Sequence, residues 1–374
     1  MKIIVVGAGI SGATIARQLA EKNIHVYVID KRNHIAGNCY DYVNEIGIRV
    51  SKYGPHLFHT NSERVWDYLQ LFTKWTPWKH RVLGNINGKY FPIPINIDSV
   101  NILCGENITS PEEMKAWLST NTITSANPPI NSEEVALARV GPDLYEKVFK
   151  HYTMKQWDKS PSELEASVMQ RIPVKTDWNP YYFSDKYEGI PSNGYTAMVT
   201  EMLNHPNITV GLEKEYTHEM RKLYDYVFYT GPIDVYYSSF GYDKLEYRSI
   251  RFEEETLNIN EFQPVSQVNY TQPDIPFTRI TEYKHILNQD VKGATTIVRE
   301  YSTAEGEPYY PVPTSKNREN YRKYQELAMK DEENGVFFVG RLATYKYYNM
   351  DAAILAALEA ADVFLDKYIK SKAV

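Results

Sequence analysis

Three glycines spaced as Gly7, Gly9 and Gly12, with Ser11 among them and Asp30 lying 23 residues beyond Gly7, are the residue types that bind a dinucleotide. Gly7 permits a tight strand-to-helix turn, Gly9 lets a pyrophosphate approach the backbone, and Gly12 lets the helix pack closely on the strand. Asp30, followed by Lys31, is placed to accept hydrogen bonds from a ribose. This fingerprint leaves NAD and FAD both open. The far end of the chain separates them: a strand ending in Gly340, then Arg341, then Met350 and Asp351 opening a long helix. FAD-binding folds use such a wall to bring a second helix N-terminus toward the flavin ring, and NAD domains do not need it. His56 and His59 sit three apart and raise the question of a metal, but no third ligand has suitable spacing, so none is expected.

Those residues need elements to hold them. The run Lys2 to Val6 reads as a strand, the glycine turn opens a helix, and Val26 to Ile29 reads as a second strand ending at Asp30. Capping signals mark helices in the middle third: Ser110-Pro111-Glu112-Glu113, Asn131-Ser132-Glu133-Glu134, a further start at Pro142, and Ser160-Pro161-Ser162-Glu163 opening a fourth helix that ends before Pro173. From about 236 to 312 the pattern changes to β-rich runs, Tyr247 to Phe252, Val265 to Tyr270 and Thr295 to Tyr301, which predict an antiparallel sheet. Nucleotide-domain character returns near 194–211, at Tyr226 to Gly231 and at Gly335 to Gly340. The expected fold is therefore α/β: a discontinuous Rossmann-like FAD-binding domain (1–76, 190–235 and 320–374) with two insertions. One is a helical domain (97–180) with a mobile substrate lid near 165–176. The other is an antiparallel sheet domain (77–96 and 236–319).

At 374 residues, two or three domains are expected. A formal net charge of −6 leaves no basic stripe for nucleic acid. An anionic ligand must be held by a few placed arginines. Cys39 and Cys104 form neither a metal spacing nor a disulfide framework. No signal peptide is read at the start, and the apolar stretch Ala352 to Leu365 is broken by Glu359 and Asp362, which predicts a cytoplasmic protein without membrane insertion. The 31 tyrosines, 13 phenylalanines and 6 tryptophans offer flat faces with polar edges suited to sugars, bases and flavins.

Five motifs in order carry a more specific resemblance: Tyr53-Gly54-Pro55-His56-Leu57-Phe58-His59-Thr60, Tyr152-Thr153-Met154-Lys155-Gln156-Trp157, Gln170-Arg171-Ile172-Pro173, Thr278-Arg279-Ile280-Thr281-Glu282, and Gly340-Arg341 through Tyr347 to Asp351. The chain resembles the bacterial UDP-galactopyranose mutase family nearly end to end. That resemblance implies an isomerase using reduced FAD, whose N5 attacks the anomeric carbon to form a flavin–sugar adduct while the nucleotide diphosphate leaves and later returns. The product would supply furanose sugar for surface polysaccharide. It also implies a homodimer and an external reductant such as NAD(P)H or a reductase.

By the same resemblance, Arg171 on the lid and Arg279 on the sheet bind the diphosphate, because an arginine stays charged and bonds phosphate oxygens bidentately. Tyr152, Thr153, Trp157 and Phe149 lie on the nucleotide side, and Tyr182, Tyr310 and Tyr347 line the diphosphate and sugar pocket. His56 and His59 adjoin the flavin and sugar, and Asn38, Arg341 and Asp351 adjoin the flavin. Four positions depart from the family pattern: His80, where an asparagine near the substrate is common, His151, Val148 and Ala36. They leave open UDP-galactose, dTDP-fucose or an N-acetylated nucleotide sugar as substrate. An amine-oxidase-like FAD oxidoreductase and a non-catalytic binding module share the fingerprint but give no reason for the two arginines and the Tyr/Trp motifs.

Overall fold

The computed structural model describes residues 1–123 and 127–369, so positions 124–126 of the expected helical domain and 370–374 of the expected nucleotide domain lie outside it. Strand Ile3–Val6 is buried on both faces and pairs in parallel with Val26–Ile29 on one side and Tyr226–Tyr229 on the other. Adding Ile208–Gly211 and Val336–Phe338 at the edges gives a five-stranded parallel sheet drawn from widely separated parts of the chain. Parallel pairing needs crossovers: helix Ile10–Ala20 joins the first strand to the second, and the connections from Val26–Ile29 to Ile208–Gly211 and from Tyr226–Tyr229 to Val336–Phe338 run through the insertions. Helices Ile10–Ala20 and Met350–Phe364 pack against each other and both reach the sheet, with Ile15, Leu19, Phe228, Ile354 and Phe364 in one core.

The turn before that helix is the tightest place in the fold. Gly7 has φ +109°, and a Cβ on it would stand 2.0 Å from the Thr230 hydroxyl. A Cβ on Gly12 would stand 1.9 Å from the Gly7 carbonyl oxygen. Gly7 N–H meanwhile donates to Ile29 O at 2.7 Å, locking the turn to the second strand.

A seven-stranded sheet runs Tyr310–Pro311, Tyr247–Leu257, Thr295–Thr303, Arg279–Glu282, Gln267–Tyr270, Val82–Ile86, Lys89–Ile93. Its neighbours are antiparallel with one exception. Gln267–Tyr270 pairs in parallel with Val82–Ile86, because the 82–93 hairpin comes from a distant part of the chain and no turn dictates its direction. A small sheet of Phe58–Thr60, Tyr187–Pro191 and Trp75–Pro77 links this body to the nucleotide sheet.

Ser110 and Asn131 cap helices Pro111–Asn121 and Ser132–Leu144 as their sequences predict. Gly141 (φ +80°) breaks the second of these and Pro142 restarts it, leading into Tyr145–Lys150 and helix His151–Trp157. The expected long fourth helix does not form. The Ser160–Glu163 capping box is present, but only a single 3₁₀ turn, Pro161–Glu163, follows it. Leu164 and Glu165 instead pair with their surroundings: Ser132 N–H donates to Leu164 O, Ser132 Oγ to Glu165 O, and Glu165 N–H to Pro313 O. These bonds satisfy the backbone outside a helix, and only Ser167–Gln170 turns helical before Arg171. Among the described residues, no helix is long and apolar enough to cross a membrane.

Gly12→Ala should force the helix off the strand, because the clashing atom is backbone and cannot rotate away. Overpacking of this kind costs about 1–3 kcal/mol, so thermal unfolding followed by circular dichroism should show Tm lowered by roughly 3–10 °C. An unchanged Tm would mean the close approach is not a constraint.

Candidate functional site

A cavity of about 510 Å³ opens at the C-terminal ends of the parallel strands. Gly7, Gly9, Ser11, Asp30, Lys31, Asn38, His56, Gly340, Arg341 and Met350 all line it. Two expected residues do not: Gly12 packs beneath, on Gly7, and Asp351 accepts a hydrogen bond from Thr60 Oγ1 at 3.1 Å. The first residues of helices Ile10–Ala20 and Met350–Phe364 reach the cavity, and neither Gly9 nor Asn349 caps its helix with a side chain. Two uncapped N-termini converging on one space favour negative charge there. Ala36 adopts the left-handed conformation (φ +69°) that a glycine would take without strain, and its N–H donates to Ala8 O.

Asp30 bonds its own turn, accepting from the N–H groups of Ala8 (2.8 Å) and Arg32 (2.9 Å). Lys31 pairs with Glu307 at 2.8 Å across the cavity. Arg32 lies over Tyr53 at 4.4 Å and donates to Asn38 Oδ1. Arg32, Glu307 and Tyr309 line the cavity too, yet no local signal distinguishes them in the sequence.

His56 Nδ1 donates to Gly54 O (2.9 Å), and the ring is pushed down to about 4 by burial and by the Arg341 cation. Beside it lies an electropositive cluster. Arg279 Nε donates to Glu300 Oε2 at 2.7 Å, and Glu300 is 1% exposed. Burial works against this guanidinium, but the facing carboxylate overcomes it and holds the arginine firmly charged. Tyr152, Tyr182, Tyr310 and His80 all lie within its electrostatic reach.

Arg171 and Arg341 converge on one phenol. The Arg171 guanidinium lies 4.1 Å from the Tyr347 ring centre and that of Arg341 5.7 Å, while Tyr347 stacks on Tyr310 at 5.4 Å. Burial favours the neutral Tyr347, but the two cations outweigh it and lower its hydroxyl below the ordinary tyrosine value. Trp157, 2% exposed, packs 6.2 Å from Tyr347 and 6.4 Å from Tyr310. Three arginines, two stacked tyrosines and a tryptophan thus face one another. The arrangement suits a doubly charged anion carrying a flat group.

Other expected residues are placed differently. His59 bonds Asp185 Oδ2 at 3.0 Å and stacks on Phe183, while His56 faces Gly54, so the two histidines have separate partners. His80 is buried beside Tyr182 and Phe183, is pushed down to about 3 by burial and Arg279, and has no hydrogen-bond partner on Nδ1 among the described residues. Thr153 is buried. Phe149 and Val148 both sit in the helical core with Val140, Leu144 and Met169. Glu300 escaped sequence reading because it becomes a partner of Arg279 only when the two strands align.

Residues 147–347 match the family described as UDP-galactopyranose mutase, and residues 5–72 match an NAD(P)-binding Rossmann-like domain. The chain is 41% identical over 367 residues to a Klebsiella pneumoniae protein named "Probable UDP-galactopyranose mutase", covering 97% of this chain and 94% of that one. It is 37% identical over 374 residues to an Escherichia coli dTDP-fucopyranose mutase, covering 97% and 98% respectively. Its fold is similar to a crystal structure of reduced UDP-galactopyranose mutase, with TM-score 0.78 at 17% identity, over 98% of this chain and 94% of that one.

Both His56 and His80 are held neutral in the fold, so an acidic medium should act on the unfolded chain first. As pH falls from 6.5 toward about 4, the unfolded state takes up protons that the folded histidines refuse, and stability should fall. Urea unfolding across that window should show the decline, and His80→Asn should make it shallower. A slope unchanged by that substitution would mean His80 titrates normally.

Proposed function

The chain belongs to the UDP-galactopyranose mutase family, and from that premise we propose that it interconverts UDP-galactopyranose and UDP-galactofuranose with bound, reduced FAD. The observation that carries this reading is the cluster of Arg171, Arg279 and Arg341 around Tyr310 and Tyr347, beside the cavity lined by His56. An oxidoreductase working on a neutral amine has no use for three cations there. The cavity suits FAD: the N-terminus of helix Ile10–Ala20 and the open glycine backbone would meet the diphosphate, and that of helix Met350–Phe364 would face the flavin.

When bound and reduced, the flavin would supply a nucleophilic nitrogen for the covalent step. The chain's own residues do the rest. Gly7, Gly9, Ser11, Asp30, Lys31, Asn38, Gly340, Arg341 and Met350 hold the cofactor. Arg279, fixed by Glu300, neutralises the diphosphate as it leaves the sugar and keeps it close for return. Arg171, carried on the short segment after Gln170, closes over the other side of the diphosphate. Trp157, Tyr152 and Thr153 meet the nucleotide, and Tyr182, Tyr310, Tyr347 and His80 shape the sugar pocket. Neutral His56 presents a hydrogen-bonding edge without adding charge beside the flavin, and His59, held on Asp185, adjoins the sugar.

In this reading residues 1–76, 190–235 and 320–374 form the cofactor domain, 97–180 the helical domain with the Arg171 lid, and 77–96 with 236–319 the sheet domain. The enzyme works as a cytoplasmic homodimer, is reduced from outside by NAD(P)H or a reductase, and supplies furanose sugar for surface polysaccharide. A second reading keeps the chemistry and changes the sugar to dTDP-fucopyranose, supported by the 37% identity to the Escherichia coli dTDP-fucopyranose mutase across nearly the whole chain.

Dithionite-reduced protein incubated with UDP-galactofuranose, and separately with dTDP-fucofuranose, should yield the pyranose of the first faster by chromatography. Faster conversion of the second favours the alternative substrate, and conversion of neither removes the mutase reading. Arg279→Ala should lower kcat by about 10²–10³ while the protein stays yellow, because the flavin contacts are untouched.

A further inference from the structure

We propose that Lys155 is a positioning residue, a built-in cation that joins the helix bearing Tyr152 and Trp157 to the loop that delivers Arg279. Its Nζ lies within hydrogen-bond distance of four backbone carbonyls: Tyr270 (2.6 Å), Gln272 (2.9 Å), Ile275 (3.0 Å) and Phe277 (3.1 Å). An ammonium has three N–H donors, so four carbonyl oxygens surround it as they would a monovalent ion. Tyr270 ends strand Gln267–Tyr270, the other three belong to its connection to Arg279–Glu282, and the last stands two residues before Arg279.

Without a cation, four carbonyl dipoles would point at one another, and the loop would open to separate them. Little else ties this loop to the helical body: Thr271 Oγ1 donates to Lys147 O, and Gln272 exchanges bonds with Asn87 on the neighbouring hairpin. The helix is gripped from the sheet side as well, where Arg248 Nε and Ser302 Oγ both donate to Gln156 O. Consecutive residues therefore have distinct tasks. Lys155 ties the loop, Gln156 ties the sheet, and Trp157 enters the tyrosine stack. Tyr152, one turn before Lys155, shares its face of the helix and lies within electrostatic reach of Arg279.

Burial pushes the Lys155 ammonium down to about 8, and Asp274, the charged group that faces it, opposes this shift. The four carbonyls also favour the charged form, since a neutral amine would satisfy them less well. The ammonium is thus the state that the surroundings select. Its loss would misplace the nucleotide side of the pocket relative to Arg279 without touching the flavin cavity.

This inference rests on the mutase reading for its kinetic consequence, so the experiment carries a second readout that does not. In Lys155→Ala, KM for UDP-galactofuranose should rise about tenfold or more with kcat within about threefold, as expected when remote binding groups are displaced. Amide hydrogen exchange across 271–278 should quicken in the same variant. Millimolar propylammonium, which replaces the missing stem and N–H donors, should reverse both changes, whereas tetramethylammonium at equal ionic strength should reverse neither. If the alanine variant does not fold, Lys155→Met keeps the apolar stem and should show the same rise in KM and in exchange. Unchanged exchange in the loop, or equal rescue by both cations, overturns the proposal. If the wild type converts no nucleotide sugar, the mutase reading fails, and the exchange and rescue data still decide whether Lys155 holds the loop.

Discussion

A guanidinium held inside the protein by one buried carboxylate, Arg279 on Glu300, governs the surrounding structure. Bringing both charges out of water costs several kcal/mol per ion, and mutual attraction offsets this only with good geometry. The geometry comes from the sheet. Arg279 and Glu300 are direct partners in the antiparallel ladder, so their side chains share a face and meet without further adjustment. A slip of one residue would send Arg279 to the opposite face and strand Glu300 as an uncompensated charge. Thr278 reinforces the register by donating through both N–H and Oγ1 to Glu300 O. The pair uses only Nε of the guanidinium and one oxygen of the carboxylate; Glu300 Oε1 has no partner among the described residues. The Nη groups of Arg279, not engaged by Glu300, are the donors an anion would meet.

The parts of this arrangement that were legible in the sequence are those set by local rules. The glycine spacing requires a turn, a close backbone approach and a helix N-terminus, and each follows from the absence of a Cβ at one position. Ser110 and Asn131 cap their helices because the bonds involved lie within three residues. The Ser160 capping box was equally clear and equally local, yet Ser132 and Pro313 took up the backbone beyond it, and those partners are distant in the chain. The parallel pairing of Gln267–Tyr270 with Val82–Ile86 and the pairing of Glu300 with Arg279 were hidden for the same reason. Lys155 stood within a recognised motif, but its four carbonyl partners carry no side-chain signature at all.

Arg171 solves the same electrostatic problem by different means. It has no carboxylate; its Nε donates to Val168 O at 3.3 Å, and its guanidinium rests on the Tyr347 ring. Contact with an aromatic face is worth only about 0.5–2 kcal/mol and has little directional demand, so it gives way readily to a charged partner. The segment bearing Arg171 is itself anchored: Arg139 Nη1 donates to Met169 O at 3.0 Å and Gln170 O at 3.1 Å, Met169 is buried in the helical core, and Val168 packs with Leu164 on Trp157 and Val312, so the freedom lies in the Arg171 side chain. One arginine is therefore fixed by a buried ion pair and the other by an exchangeable ring contact. A diphosphate entering between them would meet a rigid wall at Arg279 and a yielding one at Arg171. The cations around Tyr347 lower its hydroxyl against the effect of burial, whereas burial prevails at the neighbouring Tyr310 and raises it. A fixed guanidinium beside one held only by a ring contact would suit the release and return of a nucleotide diphosphate that the proposed mutase reaction requires.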